Sequence, residues 1–230
     1  MTFKDRFGLS ETQREQFEAY AHFLIEQNKV MNLTAITEYD EIFEKHFVDS
    51  LLINEYLDGF QTFCDVGSGA GFPGMVLAIK NPDISFTLVE PTLKRCHFLN
   101  DVIDLLKLNN VEIVNKRAED YVKTHREHFD VVSARAVAQL NILSELCLPL
   151  VRVDGIFIAM KGQKGEQELE EAQNALSTLG GEVLESKMSM LSDDSLRYNI
   201  VIKKVKKSPV KYPRNYGQIK KNPLRNRKGG

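Results

Sequence analysis

Between Phe63 and Gly74 the chain reads Phe-Cys-Asp-Val-Gly-Ser-Gly-Ala-Gly-Phe-Pro-Gly, an apolar β-forming run that ends in four glycines spread over eight residues. Apolar residues then return at helical spacing, so the stretch reads as strand, glycine loop, helix. Glycine permits dihedrals closed to other residues and lets a ligand approach the backbone, while the first turn of the following helix offers unpaired N–H groups. From residue 61 onward the pattern alternates strands with helices. Strands are expected at 61–66, 84–90, 111–115, 129–134 and 156–160, and the clearest helix at 92–107. Such alternation builds a parallel sheet covered on both faces, with ligands at the carboxyl ends of its strands. A helix over 166–179 and strands over 182–188 and 198–205, pairing antiparallel at the edge, complete seven strands.

Residues 1–60 are helical in pattern. Ser10 and Gln13 form a capping box for a helix over 11–28, and a second helix is predicted over 40–56. The organisation read from this is a helical cap over 1–60, a sheet domain over 61–205 and a basic tail over 206–230. From Lys203 to the end the chain carries 11 Lys/Arg and no acid, leaving 19 basic against 32 acidic residues before it. That division points to a polyanion bound at one place. Cys64, Cys96 and Cys147 form no CxxC pair and read as small buried hydrophobes, so no metal and no disulfide are expected. No apolar run is long enough to span a membrane and no leader is recognisable, so a cytoplasmic protein is expected, and no surface demands a dimer, so a monomer is.

Three cofactor chemistries compete for the loop. A phosphate-binding P-loop needs Gly-Lys-Ser/Thr, and Gly74-Met75-Val76 lacks it. Gly69 to Gly74 does match GxGxxG, which leaves an NAD-dependent oxidoreductase open. Asp65 before the loop and Pro73 within it disfavour a diphosphate, the first by charge and the second by removing an N–H. S-adenosylmethionine has no phosphate, and an acid can attract its ammonium and sulfonium. Asp65-x-Gly67-x-Gly69-x-Gly71 resembles motif I of the Rossmann-type methyltransferases. Glu90, ending the second strand, suits the ribose hydroxyls but would serve NAD equally.

Several further segments are similar to one family: Asn32 to Ile36, His46 to Leu51, Arg117-Ala118-Glu119, Ser133 to Ala138, Lys161-Gly162, Tyr212-Pro213-Arg214, Gly217 and Pro223-Leu224. Together with Asp65 to Gly74 they resemble the bacterial small-subunit ribosomal RNA methyltransferase G family, also called glucose-inhibited division protein B. The resemblance implies a class I methyltransferase: a Rossmann-like α/β fold with a mostly parallel seven-stranded sheet, helices on both faces and an N-terminal helical cap. It implies methyl transfer from S-adenosylmethionine to N7 of a guanine in the 530 loop of 16S ribosomal RNA, with the small ribosomal subunit as a possible setting. Gly67 and Phe72 would line the methionine and adenosine side, Ala118 and Glu119 would meet adenine, and Arg135 would sit at the mouth of the fourth strand. Gln27 departs from the family, which often has tryptophan there.

Guanine N7 presents a lone pair, so no general base and no catalytic proton acceptor are expected. Rate would come from holding N7 in line with the methyl carbon. The chain also lacks the Asn/Asp-Pro-Pro-aromatic motif of amine methylation and the Pro-Cys of cytosine-C5 chemistry. Arg135 is a candidate for contact with the cofactor, and Arg135 and His46 are candidates for positioning the acceptor. Blander readings pair Arg135 with Glu145, and His46 with Asp49 as a helix-to-sheet tie. In the tail, Lys211, Tyr212, Arg214, Tyr216, Lys220 and Lys221 interleave cations with aromatics, which suits phosphate neutralisation plus base stacking. A non-catalytic RNA-binding module is the remaining alternative.

Overall fold

The computed structural model describes residues 3–225. A short helix α1 (Phe3–Phe7) precedes α2 (Glu11–Met31), whose Ser10 capping box forms as the sequence requires. The predicted helix over 40–56 is broken. It becomes α3 (Tyr39–Ile42), a π-helical turn (Phe43–Val48), α4 (Asp49–Leu51) and a 3₁₀ turn (Asn54–Leu57). The wide π turn keeps Phe47 among Phe17, Tyr20 and Phe72, with ring centroids 5.1, 5.5 and 6.1 Å away. Turns of this kind occur mostly as insertions at functional sites.

The sheet strands are β1 (Thr62–Val66), β2 (Ser85–Val89), β3 (Val111–Val114), β4 (Phe129–Arg135), β5 (Val151–Lys161), β6 (Gly181–Met190) and β7 (Leu196–Lys204). Between them run α5 (Gly74–Lys80), α6 (Leu93–Leu106), α7 (Ala118–His125), α8 (Leu140–Cys147) and α9 (Gly165–Leu179), and α10 (Tyr216–Lys221) follows β7. The spatial order is β3-β2-β1-β4-β5-β7-β6, with β1 to β5 parallel and β7 antiparallel to both its neighbours. Strand order reverses between β1 and β4, which makes their carboxyl ends the crevice where α/β sheets bind ligands. This is the Rossmann-like arrangement expected of the pattern.

Alternation along the strands divides the core. Phe63, Phe86, Leu88 and Val131 pack against α2, α5 and α6, whereas Cys64, Val66, Val132 and Ala134 pack against α7, α8 and α9. The N-terminal helices thus share one core with a sheet face. All three cysteines are buried thiols. Among the described residues no helix is long and apolar enough to cross a membrane.

The basic segment is folded through residue 225. Tyr212 and Ile219 join the core under α8, and the Arg126 guanidinium donates to the Tyr212 carbonyl. Arg214 forms a two-pronged pair with Glu145 of α8, Nε to Oε1 at 2.8 Å and Nη2 to Oε2 at 2.6 Å. Residues 226–230, including Arg227 and Lys228 of the basic run, lie outside the described residues.

Candidate functional site

The glycine loop leaves β1 with its backbone turned outward and its side chains turned in. Gly67 and Gly69 take left-handed φ values of +74° and +59°, which L side chains adopt only under strain. A Cβ on Gly69 would meet nothing nearer than the Gly67 carbonyl at 3.9 Å, so this part of the loop faces open space. Gly67 is different, since a Cβ there would run into Val137 at 2.7 Å. The Gly67 N–H is taken by the Val89 carbonyl at 2.8 Å and the Gly69 N–H by Glu90 at 2.9 Å, so the cradle that the loop presents at Gly69 is a backbone surface free of side chains rather than free amides.

Asp65, expected to attract the cofactor's cations directly, is fully buried behind the loop. Its Oδ2 accepts the Gly74 N–H at 3.1 Å and its Oδ1 the Ser133 hydroxyl at 3.0 Å, across the β1–β4 register that pairs the two residues. Burial pushes its carboxyl up to about 6, against the opposing pull of those bonds. This corrects its role: Asp65 ties the start of α5 to β4 and shapes the loop from behind. Gly71 is closed off on its inner side, because a Cβ there would strike the Tyr20 hydroxyl at 2.5 Å. Its need for glycine comes from α2, whose Tyr20 hydroxyl donates to the Ala70 carbonyl.

Phe72 is also turned inward. Its ring stacks on His46 at 4.3 Å and on Tyr20 at 5.6 Å, and the Arg135 guanidinium lies 4.9 Å from its centroid, so the ring is a wall of the charged cluster beside the loop. Glu90 stays at the cradle. Its Oε2 accepts the Gly69 N–H and its Oε1 the Thr92 N–H, both at 2.9 Å, leaving two of four lone-pair positions. Ala118 and Glu119 begin α7 just beyond β3, on the far side of the cradle from Arg135.

Arg135 ends β4, and the chain turns away at Ala136, a non-glycine residue at φ +56°. Such a conformation costs about 1–3 kcal/mol and is held by its surroundings. Arg135 does not pair with Glu145. It donates to Asp49 at 3.0 Å, to the Lys45 carbonyl at 3.2 Å and to His46 Nδ1 at 3.0 Å. Arg197 of β7 takes the other Asp49 oxygen at 3.1 Å. His46 and Asp49 therefore meet through Arg135 rather than by bonding one another. Since arginine only donates, the His46 Nδ1 lone pair is occupied and Nε2 carries the proton toward the Thr34 hydroxyl at 2.9 Å. Burial, then the Arg135 charge, holds the imidazole down at about 3.

Next to this cluster opens a cleft of about 510 Å³, lined by Lys45, His46, Asp49, Arg135, Val137, Lys161, Glu168 and Arg197 among others. Lys161, buried at the end of β5, donates to the Ala138 carbonyl at 2.6 Å and pairs with Glu168 of α9 at 2.7 Å. Arg197 and Glu168 were not singled out by the sequence, since Arg197 acts on Asp49 148 positions away and Glu168 on Leu140 28 away, and Thr34 lay in the Asn32 to Ile36 segment with no sign of its bond to His46. Of the tail residues, Tyr212 and Arg214 are corrected to structural roles, and Tyr216 packs against the same core. Lys211, Lys220 and Lys221 remain exposed.

Residues 13–196 match the family model described as rRNA small subunit methyltransferase G. A protein called Ribosomal RNA small subunit methyltransferase G from Staphylococcus saprophyticus is 48% identical over 94% of this chain and 92% of its own. One of the same name from Bacillus licheniformis is 46% identical over 96% and 95%. Among solved structures, an O-methyltransferase from Bacillus cereus in complex with SAH superposes with a TM-score of 0.60 at 17% identity, over 81% of this chain and 91% of that one. M. jannaschii TYW2 in complex with AdoMet gives 0.53 at 13% identity, over 68% and 77%. At such identities these two structures speak to the fold alone.

Proposed function

The chain belongs to the rRNA small subunit methyltransferase G family and is an S-adenosylmethionine-dependent rRNA methyltransferase, and from that premise we propose that its acceptor is N7 of a guanine in the 530 loop of 16S ribosomal RNA. The observation that carries the choice of a ring nitrogen is the state of the groups between loop and cleft. His46 has its lone pair bound by Arg135 and is held far below its ordinary pKa, and both Asp49 oxygens are taken by arginines. Neither His46 nor Asp49 is free to remove a proton, and Glu168, the other carboxylate of the cleft, is held as an anion against the Lys161 ammonium at 2.7 Å. An acceptor that brings its own lone pair needs no such group, whereas an exocyclic amine does.

Bound to the cradle, S-adenosylmethionine supplies an electrophilic methyl on a sulfonium. Gly67 and Gly69 offer backbone, Glu90 offers its remaining lone pairs to ribose, and Ala118 with Glu119 border the adenine end. Arg135, locked by Asp49, His46 and Phe72, gives the β4 mouth a fixed positive wall against which a nucleotide can be positioned without reorganisation. Exposed Lys211, Lys220 and Lys221 would meet RNA phosphates, with the small subunit as the setting. The test is transfer of labelled methyl to 16S rRNA and to small subunits, followed by mapping. A single 7-methylguanine in the 530 loop is expected; label on an exocyclic amine or a ring carbon would overturn the reading.

A further inference from the structure

N7 belongs to adenine as much as to guanine, so an enzyme acting there must read the base elsewhere. O6 lies on the same side of the purine as N7, while N1–H and the N2 amino group lie on the opposite edge and are donors that adenine lacks. A reader of that edge must be an acceptor, and it must sit across the cleft from the glycine loop so that N7 points back to it.

The cleft holds two carboxylates. Asp49 is spent, one oxygen on Arg135 and the other on Arg197. Glu168 uses only Oε2, which accepts the Leu140 N–H at 2.8 Å and faces the Lys161 ammonium at 2.7 Å. Its Oε1 accepts no hydrogen bond from the described residues, and its side chain is 20% exposed where it lines the cleft. The same two residues fix the segment after β4, Lys161 through the Ala138 carbonyl and Glu168 through Leu140, and Val137 of that segment lies over Gly67. Glu168 is thus tied into the wall of the cleft on the α9 side.

We infer that Glu168 selects guanine, its Oε1 accepting from N1–H and N2–H of the Watson–Crick edge and leaving N7 directed toward the glycine loop. This rests on guanine N7 being the acceptor. A carboxylate there also faces the N1 lone pair of adenine and repels it, so one group accepts the right base and rejects the wrong one.

The test uses small subunits reconstituted with 16S rRNA ligated to carry guanine or inosine at the target position. Inosine keeps N7, O6 and N1–H but lacks the N2 amino group. For the wild-type chain, kcat/KM should fall at least about 10-fold on inosine, equivalent to about 1.4 kcal/mol. For Glu168→Gln, guanine and inosine should differ by less than about 2-fold, by the same measure of about 0.4 kcal/mol. S-adenosylhomocysteine binding, measured by calorimetry, should match the wild type. Equal wild-type rates on the two acceptors overturn the inference without any variant. So does a Glu168→Gln chain that keeps the full preference, or one inactive on both acceptors while binding S-adenosylhomocysteine normally, which would assign Glu168 to holding the loop alone. In each of these cases guanine methylation by the wild type still stands. Absence of wild-type transfer to guanine would instead remove the reading on which the inference rests.

Discussion

The glycine loop and the basic C-terminal segment are both short stretches dense in ligand-binding residue types, and the fold uses them in opposite ways. In the loop the side chains face inward, Asp65 on Gly74 and Ser133 and Phe72 on His46 and Tyr20, while the backbone of Gly69 faces open space. What the proposed site presents there is main chain, so spending the side chains on support leaves that surface intact. In the C-terminal segment the groups suited to binding are side chains, and Tyr212 and Arg214 are committed to the core and to Glu145. Among the described residues of this segment the exposed cations left over are Lys206, Lys207, Lys211, Lys220, Lys221 and Arg225. A binding residue type predicts binding only where the binding atom is not also the one that holds the fold.

The largest effect expected from breaking this contrast is on stability, at Arg214. Arg214→Ala leaves the fully buried Glu145 carboxylate without its cation and should cost about 3–5 kcal/mol. Thermal unfolding would show it, and a change below about 1 kcal/mol would return Arg214 to the role of a free RNA-binding cation. Truncation from residue 206 should likewise unfold the protein by stripping Tyr212 and Ile219 from the core, so it is unsuited as a probe of RNA binding.

At the loop, Gly69→Val places a β-branched residue at φ +59° and directs it into the open cradle. Cofactor affinity should fall at least about 100-fold, equivalent to about 2.7 kcal/mol, with the circular dichroism spectrum retained. Unchanged binding of S-adenosylmethionine in calorimetry would mean that this backbone does not line the site.

Asp65 provides a test in pH. Its folded carboxyl is raised from 3.8 to about 6, so between these values the folded state binds more protons than the unfolded one. Stability from this group is present at low pH and is lost as pH rises from about 4 to about 6, on the order of 3 kcal/mol. Asp65→Asn should remove that slope from the dependence of denaturant midpoint on pH. A slope of the opposite sign in the wild type would show a carboxylate stabilised in its charged form.

The smallest effect belongs to the exposed lysines of α10. Lys220→Ala with Lys221→Ala should leave unfolding unchanged and weaken RNA binding by less than about 1 kcal/mol per contact near physiological salt, where exposed charges are screened. The log–log salt slope should flatten by about 1.4–1.8 units. No change in slope would place the RNA elsewhere on the surface.

Much of the fold was legible because its signals are local. The capping box of α2, the strand-loop-helix at Phe63 to Gly74 and the alternation beyond it follow from periodicity and from glycine's dihedral freedom over a few residues. The π turn at Phe43–Val48 was not legible, because its cause is tertiary: Phe47 must reach Phe17, Tyr20 and Phe72 while His46 and Asp49 reach Arg135. The strand-end loop was legible, but not that the side chains of Asp65 and Phe72 are turned away from its open face. Spacing reports which residues are near a turn and not which way each side chain points.

The sequence by itself determined the order of elements, the glycine loop at a strand's carboxyl end and the family to which the chain belongs. Only the tertiary structure decided which charges are spent and which are free. Arg135 finds Asp49 86 positions away, Arg197 finds the same acid across 148, and Arg214 finds Glu145 across 69. A charge in a sequence carries no record of its partner, since pairing depends on distances that the packed sheet and helices set. Glu168 Oε1 is the clearest instance: an acid like its neighbours in the chain, set apart by which of its two oxygens the fold leaves unused.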